Sequence, residues 1–489
     1  MHKKILSFPR RKTVKITIDI NQPLFKVNNN YLSVAVDISK ALGGHWWNSS
    51  GSVEMKLGKH KTLPLDLTNK KLIALTSALA PAYLRIGGTE ADKTLFGETD
   101  TNKDSITLTT RLWDGINEFV KKVKMNLFFT VNAGTMVRDK HHKWHSTNLE
   151  KLLIYSKKKK YRIDAFELGN EVNAYWFFYG LRNRVSIRQY KADFEKFRNI
   201  VKKYYPNTKV GGAGTMYWPK LGEVFSFVGN IESSLIKDRK VQADMFTWHY
   251  YPQQSQRSLI PFFKAKSGAL LNPNYLNDIG IWAKQLNILK QKYHPHGQVW
   301  IGEIGHALCG GQPGLSNTFE SSFWWTDVLG FSAINKQSVV IRQDLIGADY
   351  GLLDEQTCDP LPDYWTSLLW KKLMGTQVFR VTISDENPYI RVYAHNTNLK
   401  YHKSAVTIVL INLQNQNNSV RCNYLKTNKV RIFQLSAKNI SDKTILLNNK
   451  PLTLVDNEIP QIEGEDIEIA NNNIIIQPFS ITYLVVPNL

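Results

Sequence analysis

Residues 166–173 read FELGNEVN, an apolar run typical of a short buried strand that ends in a glutamate beside small and polar residues. Residues 299–303, VWIGE, repeat this arrangement. A glutamate in such a place stands at the open end of a strand, where a cleft forms. Two carboxylates so placed match the chemistry of glycoside hydrolysis, in which one protonates the leaving oxygen and the other attacks the sugar or activates water.

Strand-like segments alternate with helical stretches on both sides of residues 166–173. Most of them are short, apolar and bounded by glycine, asparagine or charge, as strands buried on both faces are. Apolar residues recur at helical spacing in the intervening stretches 112–123 and 187–201. Eight such repeats predict an α/β fold of the (β/α)8, or TIM-barrel, type. The eight strand segments are Tyr31–Ile38, Ala82–Gly88, Asn126–Gly134, Ala165–Glu171, Thr208–Gly214, Met245–Tyr251, Gln298–Gly305 and Ser338–Leu345.

An open, doubly wound sheet is the alternative for alternating strands and helices. Such a sheet commonly carries a glycine-rich turn that binds a dinucleotide. The glycine-rich residues 211–214, GGAG, lack the spacing of that turn, and they are interpreted as a plain strand end. The barrel therefore remains the favoured architecture, and no cofactor is predicted.

The pattern changes after Met374, where strand-like segments follow one another without helices between them. The segments are Tyr389–His395, Ala405–Leu413, Val430–Leu435 and Ile474–Val486. They predict a C-terminal antiparallel β-sandwich. The strand-like Thr13–Ile20 is expected to cross over and join it. We accordingly assign residues 25–374 to the barrel, and residues 12–24 with 375–489 to the sandwich.

The chain is strongly basic, with 63 lysines and arginines against 41 aspartates and glutamates in 489 residues. This balance favours polyanionic partners, namely nucleic acid, an acidic polysaccharide or an anionic membrane surface. No nucleic-acid-binding signature accompanies the basic runs 138–143 and 157–160, so we predict no nucleic-acid partner. A generally basic, soluble surface is the alternative interpretation of either run.

The sequence carries few features that indicate a cellular compartment. No stretch is long and apolar enough to span a bilayer, and the apolar part of residues 1–11 is too short for a signal-peptide core. The three cysteines do not make a disulfide framework. Sequons beginning at Asn48, Asn417 and Asn439 permit glycosylation in a secreted protein. A monomer is the default expectation.

The catalytic candidates follow from the barrel, whose active groups sit at the C-terminal ends of its strands. Glu171 is predicted to end the fourth strand and Glu303 the seventh, which are the places of acid/base and nucleophile in many retaining glycosidase barrels. A retaining pair has its carboxyl groups about 5–5.5 Å apart, and an inverting pair about 6.5–9.5 Å. Glu167 lies in the same segment and points to the same side of the pleat as Glu171, so it is the competing acid candidate.

Three motifs resemble the heparanase-type enzymes of glycoside hydrolase family 79. They are residues 168–171 (LGNE), 80–89 (APAYLRIGGT) and 359–365 (DPLPDYW). The resemblance, which extends to leech hyaluronidases, implies a barrel with a β-sandwich completed by an N-terminal strand. It also implies a retaining endo-β-glucuronidase that acts on an acidic glycosaminoglycan, either heparan sulfate or hyaluronan. An extracellular or lysosomal location is expected from the same resemblance.

The resemblance assigns roles to individual residues. Glu171 is expected to be the acid/base and Glu303 the nucleophile, while Asn170 hydrogen-bonds the sugar 2-hydroxyl. His249 and Tyr251 resemble the pair near the nucleophile. The residues expected to line the cleft around the uronic acid are Asp37, Thr89, Gly310, Gly311, Gln343 and Tyr350.

Departures from the family pattern bear on the substrate. Phe177 stands where a lysine is expected, and residues 218–219, WP, replace a basic pair. These changes remove contacts expected for sulfate groups, which keeps unsulfated hyaluronan open as the substrate. A catalytically silent, glycosaminoglycan-binding homologue is the alternative function. His141 and His145 have the i, i+4 spacing of metal ligands, but no glutamate or cysteine completes a known motif, so no metal is predicted.

Overall fold

The computed structural model describes residues 13–47, 59–98, 105–223, 229–384, 387–425, 429–469 and 471–487. Eight parallel strands form a closed barrel in chain order, which confirms the predicted fold class. The predicted domain start at residue 12 and the sequon at Asn48 lie outside the described residues. The barrel strands are Leu32–Asp37, Tyr83–Gly87, Asn126–Val131, Ala165–Leu168, Lys209–Tyr217, Met245–Tyr250, Gln298–Ile304 and Val339–Arg342.

Outer helices connect successive barrel strands and cover the barrel. Several begin at a side-chain cap: Thr109 accepts a hydrogen bond from the Leu112 N–H, and Ser186 accepts one from the Gln189 N–H. Their apolar faces pack against strands that are buried on both sides. The outer helices are Lys70–Ala78, Thr110–Lys122, Thr147–Lys158, Ile187–Tyr204, Ile231–Lys237, Pro273–Tyr293, Phe319–Ile334 and Pro362–Leu373; the shorter helices Ile38–Leu42 and Tyr175–Phe178 follow the first and fourth strands.

Twelve further strands form a second sheet, whose strands come from the C-terminal part of the chain and from its start. Thr13–Asp19 pairs antiparallel with Met374–Ile383 and parallel with Asn418–Cys422, so the N-terminal strand joins this sheet as predicted. Its strands are mostly antiparallel and enclose an apolar core separate from that of the barrel, as expected of the predicted sandwich. Its strands are Thr13–Asp19, Phe25–Lys26, Met374–Ile383, Ile390–Thr397, Ala405–Asn412, Asn418–Cys422, Lys429–Ser436, Leu446–Leu447, Lys450–Pro451, Glu465–Glu468, Asn473–Ile476 and Ser480–Pro487.

The structure corrects several element boundaries. The fourth barrel strand ends at Leu168, earlier than predicted, and Glu171 instead precedes a short 3₁₀ turn, Val172–Ala174. The single strand predicted over 474–486 is two strands, because the chain turns at Phe479, whose φ is 41°. The division into residues 25–374 and 12–24 with 375–489 stays a prediction. None of the helices described is long and apolar enough to cross a membrane.

Candidate active site

The barrel interior is built in layers, because inward-facing side chains recur at every second residue of a strand. Trp300 fills the end nearest the strand N-termini, with its ring centroid 4.8 Å from that of Tyr83 and 5.8 Å from that of Phe128. Two residues further along the second strand is Arg85, which is completely buried. The apolar layer thus closes the barrel from below, and a polar layer lies directly above it.

Arg85 is the centre of the polar layer. Its Nε donates to Oε1 of Glu167 at 2.8 Å, and its two terminal nitrogens donate to Glu303 Oε2 at 2.7 Å and Asn170 Oδ1 at 2.8 Å. The Thr130 hydroxyl donates to the same Oε1 of Glu167 at 2.7 Å, and the Thr247 hydroxyl donates to Oε2 at 3.0 Å. A buried guanidinium stays charged only when carboxylates offset its desolvation, and this network supplies two. Glu167 is therefore a fully enclosed partner of Arg85, which leaves Glu171 as the acid candidate.

Glu303 occupies the end of the seventh strand and is held by two donors. In addition to Arg85, the Tyr251 hydroxyl donates to Glu303 Oε1 at 2.6 Å. Hydrogen bonds from a cation and a phenol both stabilise a negatively charged carboxylate. The two donors thus hold both oxygens of this carboxylate in place at the strand end.

Glu171 lies in a different electrostatic environment. It adopts the left-handed conformation, φ 53°, and its N–H donates to the Gly214 carbonyl at 2.8 Å. This conformation is uncommon for a side chain larger than glycine, and such strain is often found at functional sites. His249 lies beside it, with its Nδ1 3.3 Å from Glu171 Oε1. Burial raises the pKa of Glu171, whereas burial lowers the pKa of His249, so both groups are favoured in their neutral forms.

The two carboxylates and His249 lie close together. Each offers one oxygen or nitrogen atom, and the three atoms are within 4.8 Å of one another. Three such atoms could contact a cation. However, the Arg85 guanidinium is already bonded to Glu303, and its positive charge would repel a metal ion bound to the same carboxylate. The prediction of a metal-free site is compatible with this arrangement.

A cavity of about 480 Å³ opens above the two carboxylates at the C-terminal ends of the strands. It brings together seven of the residues singled out from the sequence. They are Asp37, Thr89, Glu171, Tyr251, Glu303, Gln343 and Tyr350.

Asn170 and His249 lie immediately beneath the cavity, as partners of Arg85 and Glu171. The two loop glycines lie further back and do not line it. Both have a left-handed φ, and an added Cβ would lie 2.5 Å from Trp47 at Gly310 and 2.7 Å from a backbone nitrogen at Gly311. The Gly311 N–H already donates to a carbonyl at 3.1 Å. This loop supports the cavity wall from behind.

Two polar residues of the site were not predicted from the sequence. Arg85 lies within residues 80–89. An arginine in a strand buried on both faces is a signal that a carboxylate partner lies nearby, since a buried charge needs one. Asp92 follows the second strand, accepts from the backbone N–H groups of Ala133 and Asn170 at 2.8 and 3.0 Å, and is buried, which raises its pKa to about 7. Asp92 thus fixes the backbone that precedes Glu171.

An apolar rim was also not predicted. The loops that follow the fourth, fifth and sixth strands line one side of the cavity almost entirely with aromatic and aliphatic side chains. Phe177, Leu259 and Phe262 are 55%, 76% and 58% exposed, so they are available to a ligand. The rim consists of Trp176, Phe177, Phe178, Tyr179, Met216, Trp218, Leu259, Ile260, Pro261 and Phe262.

Comparison with known proteins places this chain in a family. Residues 13–330 match the model of the glycosyl hydrolase family 79 N-terminal domain. The chain belongs to glycosyl hydrolase family 79. It is 28% identical to heparanase from Bos taurus, with 98% of this chain and 92% of that protein covered. It is 27% identical to hyaluronoglucuronidase from Hirudo nipponia, with 93% of this chain and 94% of that protein covered.

A GH51 arabinofuranosidase from Xanthomonas axonopodis pv. citri shares the fold, with a TM-score of 0.66 at 13% identity over 97% of this chain and 99% of that one. This family 79 chain is therefore a glycoside hydrolase with a barrel and an accompanying sandwich.

Replacing Arg85 with methionine is expected to destabilise the family 79 chain by about 3–5 kcal/mol, because Glu167 would be left buried and unpaired. Arg431 gives a matched control, since its ion pair with Asp466 is largely exposed and its loss should cost at most about 1 kcal/mol. Urea denaturation of the two methionine variants measures the difference. Equal losses would contradict the proposed importance of the buried network.

Proposed function

We propose that this family 79 hydrolase is a retaining endo-β-glucuronidase that cleaves an acidic glycosaminoglycan by double displacement. The observation that carries the proposal is the facing pair Glu171 and Glu303. Their nearest carboxylate oxygens are within 4.8 Å, which supports the shorter spacing of a retaining pair. Burial raises the pKa of Glu171, and Glu303 accepts hydrogen bonds from Arg85 and Tyr251.

In the first displacement, Glu303 attacks the anomeric carbon of the uronic acid while Glu171 gives its proton to the glycosidic oxygen. The bond from the anomeric carbon to that oxygen breaks, and an ester between the sugar and Glu303 forms. Arg85 and Tyr251 hold the attacking carboxylate in position. Arg85 also binds Asn170 through Oδ1, so the amide NH2 on the other side of that residue is the donor for the sugar 2-hydroxyl.

In the second displacement, water enters where the leaving chain has departed. Glu171, now ionised, removes a proton from this water as its oxygen attacks the anomeric carbon. The ester to Glu303 breaks, which restores both carboxyl groups to their starting states. The product keeps the β configuration because the anomeric carbon has been inverted twice.

The two sides of the cavity differ in chemistry, and this difference orients the substrate. Loops after the eighth, first and second strands, which are neighbours in the barrel, contribute the polar residues Asp37, Thr89, Gln343 and Tyr350 together with two tryptophans. The apolar rim lies across from them. Because Glu171 follows the fourth strand, the leaving chain faces the rim. We therefore place the uronic acid among the polar residues and the leaving sugar on the rim.

The charges around the cavity favour a polymer without sulfate. The described lining includes four carboxylates but only one ammonium group, Lys93, and one histidine, His45. Lys93 is already 3.1 Å from a carboxylate oxygen of Glu90. A densely sulfated chain would meet net repulsion here, whereas the CH faces of an unsulfated sugar can stack on aromatic rings. Hyaluronan thus fits this lining better than heparan sulfate does.

The relatives named above support both the polymer class and an enzymatic role, and for the same reason we propose an extracellular or lysosomal site of action. A silent glycosaminoglycan-binding homologue remains the second candidate function. The facing carboxylates argue for turnover, since a binding protein has no need for a buried, strained Glu171.

Incubation with hyaluronan, heparan sulfate and chondroitin in parallel tests the proposal. We expect rapid shortening of hyaluronan, seen by size-exclusion chromatography, with new reducing ends on glucuronic acid. A rapid drop in chain length indicates internal cleavage, whereas release of single sugars would contradict the endo assignment. Absence of cleavage of any of the three polymers would favour the silent binder.

The apolar rim gives a prediction about specificity. Phe177→Lys combined with Trp218→Lys should shift the ratio of kcat/KM for heparan sulfate over hyaluronan upward by about 10-fold, because the two ammonium groups would face the sulfates. Phe177→Met combined with Trp218→Met is the matched control, since it changes the shape of the rim without adding charge. An equal shift in both double variants would show that charge is not the selecting feature.

A further inference from the structure

The face of the barrel opposite the cavity carries most of the excess positive charge. Outer helices of a (β/α)8 barrel run antiparallel to the strands, so their C-terminal ends and the loops that follow lie at the strand N-termini. We call this surface the back face. It comprises residues 121–124, 157–164, 202–209, 237–244, 290–296 and Lys336, which lie at the C-terminal end of an outer helix and along the connection to the next barrel strand.

These segments hold fifteen lysines and two arginines but only three aspartates. Among the described residues, ion pairs engage just three of these seventeen cations, namely Lys159, Arg162 and Lys202. Most of the others are exposed. The back face therefore presents a large net positive charge that the protein itself does not neutralise.

The basic segments are contiguous. The ammonium group of Lys157, at the end of one outer helix, lies 5.5 Å from the ring of Tyr205, at the end of the next. The guanidinium of Arg239 lies 5.8 Å from the ring of Tyr293 at the end of a later helix. Because neighbouring strands in the closed barrel follow one another in sequence, these contacts join separate loops into one band.

The band continues to the last of these helix ends. Lys290 is half-buried, and burial together with the nearby charge of Lys336 lowers its pKa. The repulsion between these like charges is offset when an anion binds near both of them. The uncompensated positive charge of the back face thus favours binding of an anion.

Stabilisation of helix dipoles explains only part of the pattern. Cations in the last turn of a helix interact favourably with its C-terminus, and this accounts for residues such as Lys122 and Lys203. The effect falls off beyond the last turn. It does not account for the basic loop residues Lys160 and Lys240 or for Lys209 at the start of a barrel strand, all of which lie outside the helices.

We propose that the back face is a second binding site, distinct from the catalytic cavity, for an acidic polysaccharide chain. Fifteen of its seventeen cations are lysines, which act as point charges toward carboxylates and sulfates. The surface consists of helix ends and short loops, with no element shaped to enter a nucleic-acid groove among the residues described there. A chain bound there would keep the enzyme on its polymer while the cavity, whose described lining has few cations, engages and releases individual segments.

A charge-reversal experiment tests this site. The variant combines Lys122→Glu, Lys158→Glu, Lys160→Glu and Lys203→Glu, all at exposed residues without an ion pair in the described structure. The matched control reverses the same number of exposed charges on the sandwich, through Lys15→Glu, Lys403→Glu, Arg421→Glu and Lys438→Glu. Both are made with Glu303→Gln, so that the polymer stays intact, and their affinities for heparin and hyaluronan are measured at several salt concentrations.

We expect the back-face variant to bind heparin at least ~10-fold more weakly than the parent at low salt, with a smaller salt dependence. The sandwich control should change by less than ~2-fold. With Glu303 restored, cleavage of a short hyaluronan oligosaccharide should be the same in both variants, which also shows that they fold.

Equal weakening in both variants, or unchanged binding in the back-face variant, would overturn the proposal. Tighter binding of duplex DNA or of anionic vesicles than of either polysaccharide at the same salt would overturn the assigned ligand class. Failure of this test would leave the proposed catalytic function standing, and the reverse also holds. A protein that cleaves no polymer could still bind more weakly after charge reversal on the back face than after charge reversal on the sandwich.

Discussion

Replacing Glu303 with glutamine is expected to lower kcat on hyaluronan roughly 10⁴-fold, because the amide cannot form the ester to the sugar. Binding should persist, since the introduced glutamine would keep the shape of the side chain and most cavity contacts. Steady-state assays of product formation measure the loss, and calorimetry with an uncleaved oligosaccharide measures the binding. Glu118→Gln is the control, at an exposed helix position, and should leave kcat unchanged.

A smaller replacement makes the role of Glu303 specific. In Glu303→Gly, azide can occupy the vacated space and attack an activated aryl glucuronide directly. This single displacement inverts the anomeric carbon and should give the α-glucuronyl azide. Formation of the β product would show that another residue is the nucleophile.

Replacing Glu171 with glutamine is expected to lower kcat on the polymer by about 10²–10⁴-fold, the usual contribution of a general acid and base. The loss should depend on the leaving group. The nitrophenolate of a nitrophenyl glucuronide leaves without protonation, so the glycosyl-enzyme should form from this substrate at a nearly normal rate. Cleavage between two sugars, whose leaving oxygen needs a proton, should be slow. An equal loss of that first step with both substrates would contradict the acid role.

The protonation of Glu171 predicts how the rate of polymer cleavage changes with pH. Burial raises the pKa of Glu171, so the protonated form that acts as an acid persists to higher pH than for an ordinary glutamate. The rate of polymer cleavage should therefore fall as the pH rises through that raised pKa. This alkaline limb should disappear from the kcat/KM profile of Glu171→Gln, and its retention would assign the limb to another group.

Much of the fold was predictable because buried strands leave a strong local pattern. The eight barrel strands were recognisable as apolar segments, and a glutamate at such a strand end stood out because a buried carboxylate needs a reason. The strand predicted over 474–486 was wrong in extent, since the chain turns at Phe479; Pro478 was the available signal, because proline cannot donate to a strand ladder.

The rest of the site depends on contacts between residues far apart in sequence. Arg85 reaches carboxylates 82 and 218 positions away, and a one-dimensional pattern cannot identify partners at such separations. The apolar rim depends on how three loops are arranged around the cavity, and loop conformations follow from tertiary packing rather than from periodicity. The charge of the back face emerges only when the helix ends are gathered by the barrel.

The stereochemistry of the first product tests the central claim most directly. Proton NMR during cleavage of a hyaluronan oligosaccharide distinguishes the two anomers at the new reducing end before they interconvert. Two displacements by Glu303 and water predict that the β anomer accumulates first. Initial accumulation of the α anomer would mean a single displacement by water, and it would contradict the assignment of Glu303 as the nucleophile.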